Sequence, residues 1–134
     1  MLMFGFYDTN SLSFKFCDDL KDINSLHIPL LKPVQHTLAK YCQDNGVAHS
    51  LYLNNYFFEG KDIAQIIAHI NLGAEYVLCE NPEIAKAMQD IVEKYVLTLK
   101  VLVLSDEKSL NPVVKECLKA SIDGIINRTC ILES

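Results

Sequence analysis

Arginine is nearly absent from this chain: of its 12 basic residues all but Arg128 are lysine, so no cluster of guanidinium forks exists to grip phosphates bidentately. Acidic residues outnumber basic ones by 17 to 12, and the resulting charge of -5 repels nucleic-acid backbones and anionic lipid. Glycine is sparse at five residues, and no GxGxxG or P-loop pattern follows any apolar run, which removes the usual signatures of dinucleotide and ATP sites. The five cysteines, Cys17, Cys42, Cys79, Cys117 and Cys130, contain no CxxC pair and form an odd set. That argues against a disulfide framework or a zinc ribbon. No run of about 18 apolar residues occurs, and Met1 to Asn10 lacks a basic segment leading into an apolar one. The sequence therefore predicts a cytoplasmic protein that binds neither membrane nor nucleic acid.

What is present is apolar and patterned. Half of the 134 residues are hydrophobic, and a chain of this length buries roughly two thirds of its unfolded surface. From about residue 27 a unit repeats: an apolar run, a helix-start signal, an amphipathic stretch and a turn residue, the alternation of a parallel α/β sheet. The runs are 27–31, 50–54, 76–79, 101–104 and 124–127. Pro33 stands in the opening turn of the first helix, which Asn45-Gly46 stops, and Gly73 stops the second. Asn81-Pro82 and Asn111-Pro112 read as cap and first helical position of the third and fourth, the last with Val113, Val114, Cys117 and Leu118 facing inward. Ser50 to Asn54 alternates polar and apolar residues as an edge strand does, whereas Val101 to Leu104 is apolar without alternation and belongs at the sheet centre. Residues 1–26 differ from the remainder 27–134: Phe4, Phe6, Phe14 and Phe16 flank the turn-like Asp8-Thr9-Asn10-Ser11, which predicts an aromatic hairpin or arm.

Five strands and four helices, with the second strand at an edge and the fourth at the centre, resemble the receiver domain of bacterial response regulators over residues 27–128, best along Lys100 to Arg128. The resemblance implies a doubly wound, mostly parallel five-stranded sheet in the order 2-1-3-4-5 with helices on both faces. It places the phosphorylated aspartate of that family on Glu80, its hydroxyl residue on Ser105 and its lysine on Arg128. The family's acidic pair has no match, since Leu31, Lys32 and Pro33 occupy its place and supply no hard oxygen ligands for magnesium. At the topological switch point of such a sheet Lys32, Glu80, Ser105, Asp106 and Arg128 would gather, with Lys32 neutralising Glu80 in place of metal and phosphate.

Only Thr129 to Ser134 follow the fifth run, too few for the helix that closes a receiver, so the aromatic arm or a second subunit is expected to cover the bare sheet face. Asn54, Asn55, Tyr56, Phe57 and Phe58 put two amides and three rings into one loop, a candidate partner contact. The four histidines, His27, His36, His49 and His69, are scattered without metal-helix spacing. Lys32-Pro33 lacks the Ser/Thr character of an FMN phosphate loop, and no cofactor is expected. The expectation is a degenerate, non-catalytic regulatory or protein-interaction domain that forms a homodimer or meets a protein partner. The rival is a small flavodoxin-like enzyme or ligand-binding protein using Glu80, Ser105 and Cys79.

Overall fold

The computed structural model describes residues 1–54 and 63–133. Its strands are β1 (Leu2–Phe4), β2 (Phe14–Phe16), β3 (Ile28–Leu31), β4 (Ser50–Leu53), β5 (Tyr76–Cys79), β6 (Lys100–Ser105), β7 (Gly124–Asn127) and β8 (Ile131–Leu132). Four α-helices alternate with the middle strands among the described residues: α1 (His36–Asp44), α2 (Ile63–Asn71), α3 (Pro82–Lys94) and α4 (Leu110–Ala120). All strands join one sheet in the order β1-β7-β6-β5-β4-β3-β2-β8, and every pairing is parallel. No described helix is long and apolar enough to cross a membrane.

The alternating α/β pattern and its parallel sheet are thus as the sequence predicts, but strand number and order are not. Among the described residues the sheet has eight strands, and the five expected runs lie in chain order, β3 to β7, instead of 2-1-3-4-5. Right-handed crossovers that always step to the next strand in the same direction bring every helix to the same face. The packing agrees. Leu51, Leu53, Val77, Cys79, Val101, Val103 and Ile125 meet Ile66, Ile84, Met88 and Leu110 from the helices. The other face holds Phe4, Phe14, Leu30, Leu78, Leu102, Leu104, Ile126 and Cys130, none of them in an α-helix. Helices on both faces is therefore corrected to helices on one.

The sheet is curled into a half-barrel. From β7 to β8 is six strand spacings, about 29 Å in a flat sheet at about 4.8 Å each. Yet Asn127 and Ile131 are four Cα steps apart, at most about 15 Å. Only curling brings the chain from β7, next to one edge, to β8 at the other. Tyr76 at the middle of the sheet touches Phe4 from β1 and Phe14 from β2, with ring centroids 6.2 and 6.1 Å away and edge-to-face.

Residues 1–26 are not a hairpin. β1 pairs with β7, and β2 pairs with β3 and β8, so Phe4 and Phe14 enter the same interior from opposite sides. The aromatic segment supplies the helix-free face with the rings that a second helical layer would otherwise bring. Its intervening loop crosses between the sheet edges: Gly5 N–H donates to Asn10 O, and Asn127 Nδ2 donates to Gly5 O at 2.9 Å. A Cβ at Gly5, where φ is +80°, would lie 2.6 Å from Cys130 Sγ, so glycine is required there.

All four described α-helices end in the same device. The N–H groups of Val47, Ala74, Leu97 and Ile122 donate to the carbonyls of Cys42, His69, Val92 and Cys117, the six-to-one bond of a Schellman cap, across a residue of positive φ. Gly46 and Gly73 fill that position in α1 and α2, as the sequence predicts; Val96 and Ser121 fill it in α3 and α4. Asn81 caps α3 by accepting from Ile84 N–H, whereas α4 begins one residue before Asn111, with Ser109 at the cap position. Leu118 faces outward, 63% exposed. Val96 is 86% exposed with φ +53°, a conformation costly for a β-branched residue and compensated by no packing. Val96→Gly should stabilise the fold by about 0.5–1 kcal/mol despite the entropy glycine adds to the unfolded chain, read as a raised urea midpoint at unchanged slope.

Candidate functional site

The C-terminal ends of parallel strands collect the loops of a β/α barrel, and here they form a shallow mouth on the concave side. Side-chain alternation decides what faces it. Tyr52 of β4, Glu80 just past β5 and Leu104 of β6 share concave parity, with Arg128 opening the 3-10 turn that follows β7. Two adjoining cavities of about 330 and 320 Å³ share Phe16, Tyr52 and Glu133. The first reaches Glu80 and Arg128, the second Lys32 and Asn54.

Glu80 is the hub. Its Oε1 lies 2.6 Å from Arg128 Nη1, and its Oε2 accepts a 2.6 Å hydrogen bond from the Tyr52 hydroxyl. Arg128 Nη2 adds a 3.4 Å bond to the Glu80 carbonyl. Burial first, then the bond to Glu80, pushes the Tyr52 phenol well above its usual range, which keeps it a donor. Both carboxylate oxygens are thus engaged by the protein itself.

Lys32 does not reach Glu80 as a partner. Its Nζ sits 5.9 Å from the centre of the Phe16 ring, which meets Tyr52 edge-to-face at 5.1 Å. Two rings separate the lysine from the carboxylate, and Arg128 is the cation that pairs with Glu80. Ser105 is directed elsewhere: it shares the parity of Val101 and Val103, is 2% exposed, and donates to Asp106 O at 2.9 Å. Asp106 lies exposed at the rim, where its carboxylate accepts from Ser109 N–H at 2.8 Å. That bond, with a smaller contribution from Arg128, holds its carboxyl below the usual range. Of the five residues expected together, the structure therefore brings Glu80 and Arg128 into contact, puts Lys32 in the adjoining cavity, leaves Asp106 exposed past β6 and turns Ser105 toward the helices.

Cys79, the rival nucleophile, is fully buried against the helix face, and desolvation raises its thiol far above the range in which a thiolate forms. Of the candidate contact loop, Asn54 lines the mouth beside Lys32, while Asn55, Tyr56, Phe57 and Phe58 lie outside the described residues. Among the described residues no group of three His, Cys, Asp or Glu side chains is placed to hold a metal ion.

Sequence reasoning missed Tyr52 and Phe16. Tyr52 carried a signal: the alternation Ser50, Tyr52, Asn54 was assigned to solvent at a sheet edge, but β4 lies inside the sheet, and part of that alternation faces the mouth. Phe16 had no local signal, because its position depends on β2 joining the sheet beside β3.

The fold and site define a parallel β/α half-barrel whose mouth holds an internally paired carboxylate. No protein-family model matches this chain, and no curated protein matches it.

Proposed function

We propose that the protein is a non-catalytic, regulatory protein-interaction domain that works through a homodimer or a protein partner. The observation that carries this reading is the saturation of Glu80 by Arg128 and Tyr52. An acceptor carboxylate must offer a free oxygen to an incoming group, and general acid-base work needs a titrating group facing substrate. Here the carboxylate that occupies the phosphoacceptor position in the receiver likeness is neutralised from within, so the mouth is held in one state. The strand order differs from that of receivers, and the likeness offered is confined to this chemical parallel at the strand ends.

The test combines a stability cycle with a ligand challenge. Arg128→Ala, Glu80→Gln and their combination should show a coupling of about 1 kcal/mol, modest because the pair is part-exposed. Acetyl phosphate with magnesium should leave the melting temperature and the mass of the protein unchanged, while sedimentation over a hundredfold range of concentration should show self-association or, with the partner present, a complex. Additive single effects, or phosphorylation at Glu80 or elsewhere in the mouth, would remove the proposal.

A second reading, a small-molecule site at the same mouth, is favoured by the convergence there of Tyr52, Asn54, Glu80 and Arg128 at strand ends. Visible or near-ultraviolet absorbance beyond that of tyrosine in the purified protein would favour it.

A further inference from the structure

The largest cavity among those described opens at the other end of the sheet, where β3 and β4 begin, and encloses about 730 Å³. Its wall comes from the approach to β2, the loop before β3, Tyr41 of α1, and the chain around Val47 and Ala48, and Leu12, Ile23, Leu26 and Ile28 are among its apolar lining residues. None of its lining residues is Asp, Glu, Lys or Arg. This is unusual on a protein whose charged residues make up 22% of the chain. Its polar lining residues are all uncharged types, and two of them are directly paired: Ser13 Oγ and His27 Nδ1 are 2.7 Å apart.

That pair is not needed to hold the two segments together, since Ile28 N–H already donates to Ser13 O at 2.8 Å. Its chemistry is open to a ligand. If the serine donates, its oxygen keeps lone pairs and the imidazole keeps an N–H; if the imidazole donates, the serine hydroxyl and the second ring nitrogen remain. In either tautomer one donor and one acceptor are left. A cavity within the volume range of small-molecule sites, more apolar than polar and with uncharged polar groups that include the Ser13–His27 pair, suits a ligand that is largely apolar and uncharged.

We infer that this cavity is a binding site for a small uncharged organic molecule, an apolar body bearing one amide or hydroxyl group, anchored by Ser13 and His27. A charged ligand would leave its charge partly desolvated with no counter-ion on the wall. The site lies away from the Glu80 mouth and stands or falls independently of the function proposed for it.

The discriminating probes are 4-phenylbutanamide and 4-phenylbutanoate, which share one body and differ in charge, titrated into the isotopically labelled full chain and followed by amide chemical shifts. The amide should produce saturable shifts centred on Ser13, His27 and Ile28, with at least tenfold tighter binding than the carboxylate. Ser13→Ala should weaken it several-fold. Ala48→Trp, at an exposed position on the rim, should abolish it by filling the cavity; should that variant fail to fold, Leu26→Trp, at a position 78% exposed, tests the same block. Glu80→Gln should leave it unchanged. Absence of saturable shifts, shifts centred on Tyr52 and Arg128, equal binding of the carboxylate, or wild-type binding by the folded tryptophan variant would each overturn the inference.

Discussion

Phe14→Ala should cost about 3–5 kcal/mol, the largest loss expected from any single substitution in the N-terminal segment. The ring is fully buried, packs with Leu30, Leu78 and Leu102, and stands edge-to-face against Tyr76. Truncation leaves a cavity at the centre of the half-barrel, where neighbours on several strands cannot all collapse into it. Domains of this size have total stabilities of about 5–15 kcal/mol, so the variant loses a large share of its margin. Urea unfolding measures the effect. The result separates two architectures: an aromatic arm lying on the outside of a five-stranded sheet would lose less than about 1 kcal/mol on the same change. Phe4→Ala, on the edge strand β1 at the other end of the sheet, should behave in the same way, because both rings meet at Tyr76.

Stability should also fall as pH drops below the ordinary histidine value of about 6.5. His49 and His69 are 1% and 0% exposed. His69 Nε2 donates to Pro33 O at 3.0 Å, which leaves Nδ1 as an unprotonated atom without a partner; His49 Nδ1 faces Val47 O at 3.5 Å, and its Nε2 likewise has none. Protonation would add an N–H with no acceptor in a desolvated site. Burial lowers both values in the fold, opposed for His49 by the Val47 carbonyl and Glu75, and for His69 by the Pro33 carbonyl, while His36 and His49 lower His69 further.

The sign follows from linkage. The unfolded chain charges near 6.5 while the native state stays neutral, so stability is intact above 6.5 and declines below it until the native histidines also charge. Each histidine contributes at most about 1.4 kcal/mol per pH unit to that slope. Denaturant midpoints between pH 8 and pH 5 should be flat and then fall, and His69→Gln should flatten the acid limb at some expense of stability at neutral pH. A midpoint independent of pH down to about 5 would show that neither ring is held neutral. Carboxylates enter later: Asp22 and Asp106, held low by backbone hydrogen bonds, lose their contribution only below about pH 4.

Much of this architecture was legible in the chain because it rests on local chemistry. Gly46 and Gly73 marked helix ends because a left-handed residue favours glycine, and Asn81-Pro82 marked a helix start because the amide caps and the ring fits the first turn. Val96 and Ser121 take up the same left-handed position without glycine, so the repeat of the device could not be read at those two ends. The mouth was legible in part. Glu80 and Arg128 are strand-end residues in any parallel arrangement, but which cation faces Glu80 depends on which strands are neighbours and how far the sheet bends.

By itself the sequence determined a parallel α/β chain, its principal strands and helices, its acidic balance and the polar residues at its strand ends, since periodicity, turn residues and charge act within a few positions. Tertiary structure alone decided that β1 and β2 join opposite ends of the sheet, that the helices share one face, that Arg128 and Tyr52 take the place expected of Lys32, and that Ser13 meets His27. Each of these depends on contacts between segments distant in sequence, made as the sheet curls to bury Phe4, Phe14 and Tyr76 against one another. The free energy of that shared burial belongs to no single segment.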